Sequence, residues 1–536
     1  MKSAHVRLRQ AVAQRITHHR ANRRWQKLTA GVVESTPLSS DLRPVVFFNA
    51  STRLQAMSLN AAFSLLSALG VRTQGVPVIL FACKRGMTRC VLGSNRDQFE
   101  TTPPCEACVR QSRAVFTNLP TRWFEYEEDH ALNEQIADLS VTQLQAVEHQ
   151  GVPLGAFALN SLRWMLRRHT LADDGSTRAF FHAYILSAWN VYRQAKLLLQ
   201  DVNPQAVVLF NGMFFPEAAV RHACVEAGVR VITHEVGLRP MTAFFTDGQA
   251  TAYPMHIPAD FELTPEMEQK LDAYLNARLS GDFTMAGIRF WPEMQRLSPE
   301  FTEKARRFKH IVPVFTNVIF DTSQVHANTI FSDMFAWLEH VRCAAAHHPE
   351  TLFVIRAHPD ECRPGKESRE SVADWVKQNG VENLPNVVFF DANEYVSSYE
   401  LIQQAHLVMV YNSTIGLEAA LMGKPVLAGG KARFTQLETA YLPQNLHQFQ
   451  ALLDQFLSTP HIETPAIFKR AARRFLYYQL FVTSLEFQDF LEEDGVWKGY
   501  VQLRKIQASQ LRPENSPTMQ IVLDGILNQG GFTAAP

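Results

Sequence analysis

The sequence predicts an α/β protein with two Rossmann-like domains that face each other across a cleft, followed by C-terminal helices. Three observations support this fold class. The chain has 536 residues with 46% hydrophobic and 19% charged content, which is enough to bury more than one core. Short apolar segments alternate with helical patterns in two separate series, a pattern typical of parallel sheets. A polar, helix-rich stretch between the two series suits a connector between domains.

The first domain is expected over residues 44–254, after a basic N-terminal segment at 1–43. Its buried strands are predicted from four apolar segments: "PVVFFNA" (44–50), "VPVILFA" (76–82), "QAVVLFNG" (205–212) and "VRVITHE" (229–235). Ligands of such sheets bind outside the carboxyl ends of the strands. Residues that end these strands are therefore expected to border the cleft.

The second domain is expected over residues 309–460, after a helical connector at 255–308. Its strands are predicted from five apolar segments: "HIVPVFTN" (310–317), "TLFVIRAHP" (351–359), "NVVFFD" (386–391), "HLVMVYNS" (406–413) and "KPVLAGG" (424–430). Residues 461–536 are predicted to form helices to about residue 505 and then a loose tail. We expect the helices to pack back across the cleft.

The hydropathy of the sequence argues against a membrane-spanning protein. No segment reaches the roughly 18–20 uninterrupted apolar residues that a spanning helix needs. The basic start is not followed by an apolar segment and a small-residue cleavage site, so no secretory signal is visible. We therefore expect a cytoplasmic location.

The N-terminal segment carries a local excess of positive charge. The whole chain has 52 basic and 52 acidic residues, yet the segment from Lys2 to Lys27 holds eight Lys and Arg and no Asp or Glu. Its apolar residues have loosely helical spacing, so it can lie on an anionic membrane surface, at the inner face of the membrane. A solvated or frayed basic helix is the alternative. Nucleic acid is not expected as a partner, because no nucleic-acid motif accompanies the tail.

The segment "HLVMVYNSTIGLEAALMGKPVLAGG" predicts a strand, a short polar loop, a helix and a second strand. Asn412, Ser413 and Thr414 fall at the turn into the helix, where free N–H groups and the helix dipole favour a bound anion. Gly416 allows close approach in the first turn. The local chemistry equally allows Ser413 or Thr414 to be an ordinary helix cap.

Glu418 lies one turn into the same predicted helix. Its position does not suit a capping box that starts at residue 413 or 414. A carboxylate there can hydrogen-bond the ribose hydroxyls of a nucleotide, or it can simply interact with the helix dipole.

The stretch "RAHPDE" (356–361) places Arg356 and His358 at the end of a predicted strand. Residues two apart on a strand project to the same side. A guanidinium and an imidazole on one side form a site for phosphate oxygens. A single His is more often structural, but the nearby Ser-Thr loop favours phosphate binding.

The segments "TNVIFD", "LFVIRAHPDE" and "SSYELIQQAHLVMVYNSTIGLEAALMGKPVLAGG" together resemble the bacterial capsule polysaccharide biosynthesis family. That family includes Kdo transferases of GT-B architecture. The resemblance is clearest over residues 310–435 and weaker over 211–237. It implies that the second domain binds a nucleotide-sugar donor, CMP-linked in the members with Kdo activity.

The same resemblance implies roles for individual residues. His358 and Pro359 would lie near the donor phosphate, Ser413 and Thr414 would bind phosphate, and Glu418 would approach the ribose. The long N-terminal half with its cysteines departs from the better-known members.

Four cysteines in the first domain have the spacing C-x6-C-x14-C-x2-C: Cys83, Cys90, Cys105 and Cys108. Four thiolates can hold a structural zinc ion that pins a loop without its own core. A metal-free set of thiols is the alternative, and a disulfide framework does not suit a cytoplasmic protein.

Further candidate residues end the other predicted strands. In the first domain, Asn211 with Gly212 and His234 with Glu235 are candidates for acceptor binding or acid-base work, or for loop hydrogen bonds. In the second domain, Asn317 and Asp321 are candidates for contact with the donor. Asp321 can instead cap the following helix.

These features predict a glycosyltransferase that moves a sugar from a nucleotide donor to a surface-polysaccharide or glycolipid acceptor. His234, Glu235 and Asp321 are its candidate catalytic residues. Stabilisation of the leaving phosphate, by Arg356, His358 and the 413–416 turn, needs no cofactor. A sugar-nucleotide epimerase and a non-catalytic assembly or export factor are the two rival functions, since fold alone does not decide function.

Overall fold

The computed structural model describes residues 4–54, 56–279, 294–495 and 499–535, and the side chains of residues 4–16 and 279 lie outside that description. The α-helices are α1 Ala4–Ser35, α2 Leu59–Arg72, α3 Cys105–Val115, α4 His130–Ile136, α5 Val141–Gln145, α6 Leu154–Leu166, α7 Gly175–Val202, α8 Phe215–Glu226, α9 Pro265–Leu279, α10 Pro299–Ala305, α11 Gln324–Ala327, α12 Met334–His347, α13 Val372–Gln378, α14 Ser398–Gln404, α15 Ile415–Leu421, α16 Leu446–Ser458, α17 Ala466–Tyr477 and α18 Pro517–Asn528. The strands are β1 Val45–Phe48, β2 Met57–Ser58, β3 Val78–Cys83, β4 Thr121–Phe124, β5 Ala206–Phe210, β6 Arg230–Val236, β7 Thr242–Thr246, β8 His310–Phe315, β9 Thr351–Arg356, β10 Val387–Phe390, β11 Val408–Val410, β12 Val426–Ala428, β13 Leu485–Glu486, β14 Leu491–Glu493 and β15 Tyr500–Leu503.

The first domain is built on a seven-stranded sheet in the order β13-β7-β6-β5-β1-β3-β4. The five strands from β6 to β4 are parallel, and β7 and β13 extend the edge in antiparallel fashion. The central strands are almost wholly buried, as in the run "VVFF" of β1. Such continuous apolar runs are what a parallel sheet covered on both faces requires.

The second domain contains a five-stranded parallel sheet in the order β10-β9-β8-β11-β12. All five strands coincide with the segments that the sequence predicted. The register pairs Phe315 at the end of β8 with Arg356 at the end of β9 and with Val410 at the end of β11. The loops that follow these three strands therefore leave the sheet side by side. The predicted α/β fold with two parallel-sheet units is confirmed.

The C-terminal region differs from the prediction of helices and a loose tail. After α17 the chain forms a π-helical turn over Tyr478–Val482 and then strands β13, β14 and β15. The segment predicted as a tail contains α18, whose apolar face is buried against α2 and the first sheet. The prediction failed because "SPTMQIVLDGILN" has few residues of strong helix propensity, whereas burial of its Met, Val, Leu and Ile side chains stabilises it.

The N-terminal helix α1 packs against the first domain at its C-terminal half. Trp25, Leu28 and Val32 are buried in the domain core. Arg24 pairs with Glu492 of β14 at 2.8 Å. Membrane contact through the basic residues near the start stays a prediction. Among the described residues, no helix is both long and apolar enough to cross a membrane.

Two sets of contacts join the first domain to later parts of the chain. Arg239, in the turn before β7, donates to the carbonyl of Leu480, which follows α17, at 2.8 Å. On another side of the cleft, the N–H of Arg369 donates to the carbonyl of Arg167 at 2.8 Å. The connector region holds α9 and α10, and residues 280–293 of it lie outside the description. The structure thus fixes the loops of one sheet opposite those of the other.

Candidate functional site

A cleft of about 680 Å³ lies between the carboxyl ends of the two parallel sheets. Most of its wall comes from first-domain loops that follow β1, β3, β5 and β6. The second domain contributes Asp321, Thr322, Ser323, Lys366 and Arg433. Of the residues predicted from the sequence, eight line this cleft: Asn211, His234, Glu235, Asp321, Cys83, Cys90, Cys105 and Cys108.

Glu235 is the penultimate residue of β6, and two amides from neighbouring elements hold its half-buried carboxylate. The Nδ2 groups of Asn60 and Asn211 each donate to it at 3.4 Å, one to each oxygen. The N–H of Val236 adds a bond at 2.8 Å. Burial raises the pKa of Glu235 above its ordinary value, and these hydrogen bonds oppose the rise. A carboxylate held at the cleft by fixed donors suits acceptance of a proton from a bound hydroxyl group.

Asn211 and Gly212 form a sharp turn at the end of β5. Both have positive φ, 27° and 80°. A side chain at position 212 would also come within 3.3 Å of Arg221 Cδ and Thr233 Cγ2. Glycine is therefore required there by the backbone, and the turn aims Asn211 at Glu235.

His234 lines the cleft but is only 1% exposed. Its ring lies 5.5 Å from the ring of Phe245 and 6.2 Å from that of Phe210. Burial lowers its pKa to about 3, so the imidazole is neutral above that pH. Neither ring nitrogen has a hydrogen-bond partner among the described residues. His234 is thus an orphaned polar group in the wall of the cleft.

Glu217, in the first turn of α8, is a cleft residue that the sequence reasoning missed. Burial raises the pKa of this carboxyl to about 8, and the positive charge of Arg53 opposes the rise. Both residues line the cleft. The sequence feature that could have identified Glu217 is the Pro-Glu pair in "NGMFFPEAAV", directly after a predicted strand. An acidic residue at the start of a helix is usually explained by its interaction with the helix dipole.

Asp321 is exposed at the cleft and accepts a hydrogen bond from the N–H of Ser323 at 2.8 Å. This bond forms a turn two residues before α11. Asp321 is not the N-cap of α11, because that position is held by Ser323. Contact of Asp321 with the donor stays a prediction.

The four cysteines line the same part of the cleft. Cys83 and Cys90 each accept a hydrogen bond, from the N–H groups of Gly86 and Gly93, at 3.2 Å. Burial raises the pKa of both thiols to about 12. Cys108 contacts the hydroxyl of Ser51 at 3.0 Å.

Within the described parts of the chain, no three His, Cys, Asp or Glu side chains lie close enough together to hold a metal ion. Metal binding by the cysteines stays a prediction that metal analysis of the purified protein would test.

The second-domain residues Asn317 and Asn412 meet at the ends of adjacent strands. Asn317 Nδ2 donates to Asn412 Oδ1 at 2.7 Å, and Gln324 Nε2 donates to the same oxygen at 3.3 Å. Ser413 is buried, and Thr414 precedes α15 without a side-chain capping bond. The expectation that one of these hydroxyls caps α15 is thus not met for Thr414.

Gly416 is explained by packing within the second domain. A Cβ at this position would lie 2.8 Å from Phe434 Cζ and 3.0 Å from Val410 Cγ2. The absence of a side chain at Gly416 therefore lets the first turn of α15 pack against Phe434 and Val410.

Arg356 and His358 have separate hydrogen-bond partners, and their joint role at a phosphate stays a prediction. Arg356 is 3% exposed, and its guanidinium donates to Ser398 Oγ at 3.1 Å and to the carbonyl of Glu394 at 2.9 Å. His358 lies beyond the end of β9, and its Nδ1 accepts from the N–H of Asp360 at 3.1 Å. The strict alternation of side chains stops where β9 stops, so the two groups take different partners.

Glu418 is engaged within the protein. Tyr399 donates to it at 2.6 Å, and Arg278 of α9 forms an ion pair with it. A role in binding ribose would require the exchange of these partners.

Comparisons with known proteins match mainly the second domain. Residues 292–451 match the model of a family described as capsule polysaccharide biosynthesis proteins. This match confirms the resemblance that the sequence indicated. The chain is also 28% identical over 243 residues to Protein FixF of Sinorhizobium fredii (strain NBRC 101917 / NGR234), covering 45% of this chain and 52% of that protein. The chain therefore spans about half the length of the curated relative that it matches.

Solved structures with some similarity include the beta Kdo 2,7 transferase of Thermosulfurimonas dismutans KpsC, at 14% identity and a TM-score of 0.32, over 59% of this chain and 86% of that chain. The UDP-GlcNAc 2-epimerase from Neisseria meningitidis bound to UDP-GlcNAc has 12% identity and a TM-score of 0.25, and the match covers 81% of this chain and 98% of that chain. MurG of Acinetobacter baumannii has 12% identity and a TM-score of 0.23, and the match covers 91% of this chain and 99% of that chain.

Proposed function

From the match of residues 292–451 to the capsule polysaccharide biosynthesis family, we propose that this chain is a GT-B glycosyltransferase. It would transfer a sugar from a nucleotide-sugar donor to a surface-polysaccharide or glycolipid acceptor. The observation that supports the proposal best is the cleft itself. It places the carboxyl groups of Glu217 and Glu235 on the first-domain wall, opposite hydroxyl and cationic groups of the second domain.

The acceptor would bind on the first-domain side, where Asn60 and Asn211 orient the Glu235 carboxylate. In the reaction, an acceptor hydroxyl oxygen forms a bond to the anomeric carbon of the donor sugar. The bond from that carbon to the donor phosphate oxygen breaks, and the hydroxyl proton passes to a carboxylate of the cleft. Glu235 is the base that we propose, because its carboxylate is held in place by fixed donors.

The donor would bind on the second-domain side, at the loops that follow β8, β9 and β11. His358, Ser413 and Thr414 are the phosphate contacts that the family resemblance implies. The leaving nucleoside phosphate carries the negative charge that develops in the transition state. Fixed N–H, hydroxyl and cationic groups at these loops would stabilise that charge.

Binding of the donor is tested by thermal unfolding of the wild type and of His358→Ala with CMP, UDP, GDP and their common sugar conjugates. A ligand that binds the native state raises the melting temperature. We expect one nucleotide class to raise it in the wild type and to lose most of that effect in His358→Ala. The control is His347→Ala, because His347 is exposed at the end of α12. Equal nucleotide shifts in all three proteins would contradict the phosphate role of His358.

Transfer is tested by incubating the protein with each binding donor, CMP-Kdo first, with and without a glycolipid extract as acceptor. A transferase gives a product heavier by one sugar and releases nucleotide in an acceptor-dependent manner. Conversion of the donor without acceptor would instead identify an epimerase. Nucleotide binding with neither reaction would favour an assembly factor.

A further inference from the structure

Tyr253 contacts the strand that carries Glu235. It follows the 3₁₀ turn Ala250–Ala252 of the first domain and is 4% exposed. Its hydroxyl donates a hydrogen bond to the carbonyl of Val236, and the N–H of Val236 donates to the Glu235 carboxylate at 2.8 Å. The Tyr253 hydroxyl is therefore joined to this carboxylate through the backbone of a single residue.

The backbone of Tyr253 has an unusual conformation. Its φ is 46° and its ψ is 55°, which lie in the left-handed region. A bulky side chain rarely adopts this conformation. A residue in such a conformation persists where the surrounding contacts hold it, and such residues cluster at active sites. Tyr253 therefore depends on its surroundings for its position.

The contacts that hold Tyr253 come from the second domain. The short 3₁₀ helix Arg433–Gln436 follows β12. The guanidinium of Arg433 lies over the ring of Tyr253, with Cζ 3.7 Å from the ring centroid. Gln436 Nε2 donates to the carbonyl of Tyr253 at 2.9 Å, and Gln436 Oε1 accepts from the N–H of Met255 at 3.0 Å. Both the ring and the backbone of Tyr253 are thus held across the boundary between the domains.

The 3₁₀ helix 433–436 is itself fixed within the second domain. Phe434 is 1% exposed and packs against the first turn of α15, where a Cβ at Gly416 would lie 2.8 Å from Phe434 Cζ. Thr439 Oγ1 donates to the carbonyl of Phe434 at 2.9 Å. A shift of this short helix would disturb the packing at α15, so its side chains move with the second domain.

The two domains also act together on the charge of Glu235. Glu235, Tyr253 and Arg433 all line the cleft. Burial raises the pKa of Glu235, and the hydrogen bond from Val236 and the positive charge of Arg433 oppose this rise. Separation of the domains would remove the guanidinium and release Tyr253. The charged form of Glu235, which is the form that accepts a proton, would then be less stable.

We propose that Tyr253, held by Arg433 and Gln436, positions the Glu235 carboxylate, so that contact between the domains completes the acceptor side of the cleft. This inference rests on the proposed function for the role of Glu235 as the base. The three residues are positioning residues, because they act through the backbone of Val236 and through charge. The base is ready only when the second domain, which would carry the donor, is in place.

The test compares the wild type with three variants of the full chain. Tyr253→Phe removes the hydroxyl that holds Val236 and keeps the ring. Arg433→Met removes the cation above that ring and keeps an unbranched side chain. Arg433→Lys keeps a cation for the ring and tests rescue.

Two matched controls carry the same chemical changes outside the cleft. Tyr441→Phe loses a hydroxyl that donates to the carbonyl of Glu463 at 3.1 Å. Lys270→Met loses a cation that lies 4.2 Å from the ring centroid of Phe481. Their effects report what the loss of such a contact does without any change near Glu235.

The first measurement is urea unfolding as a function of pH, and it does not depend on transfer. Each protein is measured with and without the added change Glu235→Gln, so the difference isolates the contribution of Glu235. Because the folded pKa of Glu235 lies above its ordinary value, this contribution is complete below the ordinary value and is lost as the pH rises through the folded pKa. We expect the loss to end about one pH unit higher in Tyr253→Phe and Arg433→Met than in the wild type and the controls.

The second measurement is the pH dependence of kcat for transfer. The rate rises with pH as the base loses its proton, so its acid limb should shift upward by about one pH unit in the same two variants. At pH 7 we expect kcat to fall about tenfold while the donor KM stays within about twofold, because the base and not the donor is misplaced. Arg433→Lys should recover most of the lost rate.

Wild-type pH curves in Tyr253→Phe and Arg433→Met would overturn the inference, as would equal shifts in the two controls. A rate for Arg433→Lys no higher than that for Arg433→Met would also overturn it. Shifted unfolding curves without transfer from any donor would keep the positioning of Glu235 and reject the transferase. Transfer by proteins with unshifted curves would keep the transferase and reject the positioning role.

Discussion

Tyr399 donates a hydrogen bond to Glu418 across 2.6 Å, and Arg278 pairs with the same carboxylate. Tyr399 lies in α14, Glu418 in α15 and Arg278 in α9. This group therefore ties the connector region to the second domain. Glu418, for which the sequence suggested a ribose contact, joins three helices in this structure.

Replacement of Glu418 by Gln separates the two roles. We expect Glu418→Gln to lower the free energy of unfolding by about 3 kcal/mol, because it leaves the mostly buried Arg278 without its counter-charge. Urea unfolding at pH 7 measures this loss. A variant with wild-type stability but weakened nucleotide binding would show that Glu418 contacts the ribose after all.

Glu217 predicts a dependence of stability on pH. Its folded pKa of about 8 lies above its ordinary value of 4.5, so folding favours the protonated form. The stabilising effect of protonation is complete below pH 4.5 and is lost as the pH rises towards about 8. The melting temperature of Glu217→Gln should therefore fall less than that of the wild type between pH 5 and pH 8.5. Parallel pH curves for the two proteins would contradict a raised pKa.

Glu217 also serves as the comparison in a test of Glu235 as the catalytic base. If Glu235 is the base, Glu235→Gln should reduce the transfer rate by about 10²–10⁴-fold, and Glu217→Gln should reduce it much less. The rate at saturating donor and acceptor measures this effect. The opposite ranking of the two variants would assign proton abstraction to Glu217.

His234 predicts sensitivity to acid. Burial lowers its pKa from 6.5 to about 3, so the stability that its neutral form permits is full above pH 6.5 and is lost as the pH falls towards 3. At pH 5 this loss is about 2 kcal/mol. His234→Phe, with a ring that fits between Phe210 and Phe245, should remove that loss. An equal acid sensitivity in the variant, measured by urea unfolding at pH 5 and 7.5, would contradict the prediction.

Gly416 predicts a cost for any side chain. Gly416→Ala should destabilise the protein by about 1–3 kcal/mol, because the added methyl group would press on Phe434 and Val410. Gly175→Ala is the matched control, since that helix-start glycine has open space around its Cβ position. A Gly416→Ala variant as stable as Gly175→Ala would show that α15 can shift away from Phe434.

The sequence predicted the parts of the fold that local patterns determine. All five strands of the second sheet are continuous apolar runs, and all were found. Strands β4, β7 and β13 were missed because each lies near the edge of the first sheet, where the short or mixed sequences depend on pairing with a neighbour. The sequence placed Asn211 and Glu235 near the carboxyl ends of two successive strands. Because β5 and β6 are parallel neighbours, these two side chains lie close together.

The side-chain partners were less predictable. Arg356 was expected at a phosphate, but its guanidinium donates hydrogen bonds to the carbonyl of Glu394 and the hydroxyl of Ser398. Both partners lie in the part of the chain that follows β10. Glu217 and Arg433 line one cleft although they lie more than 200 positions apart in the sequence, and no local spacing reveals this proximity. Contacts of this kind depend on how two domains meet, which periodicity does not encode.

Strand β13 and helix α18 come from the end of the chain, yet both complete the first domain. The second sheet is built wholly from residues between the two portions of that domain. During synthesis on the ribosome, domains usually fold in the order in which they emerge. Here the second domain can be complete while the first still lacks its edge strand and covering helix, so a protein released early would expose the apolar surface of α2.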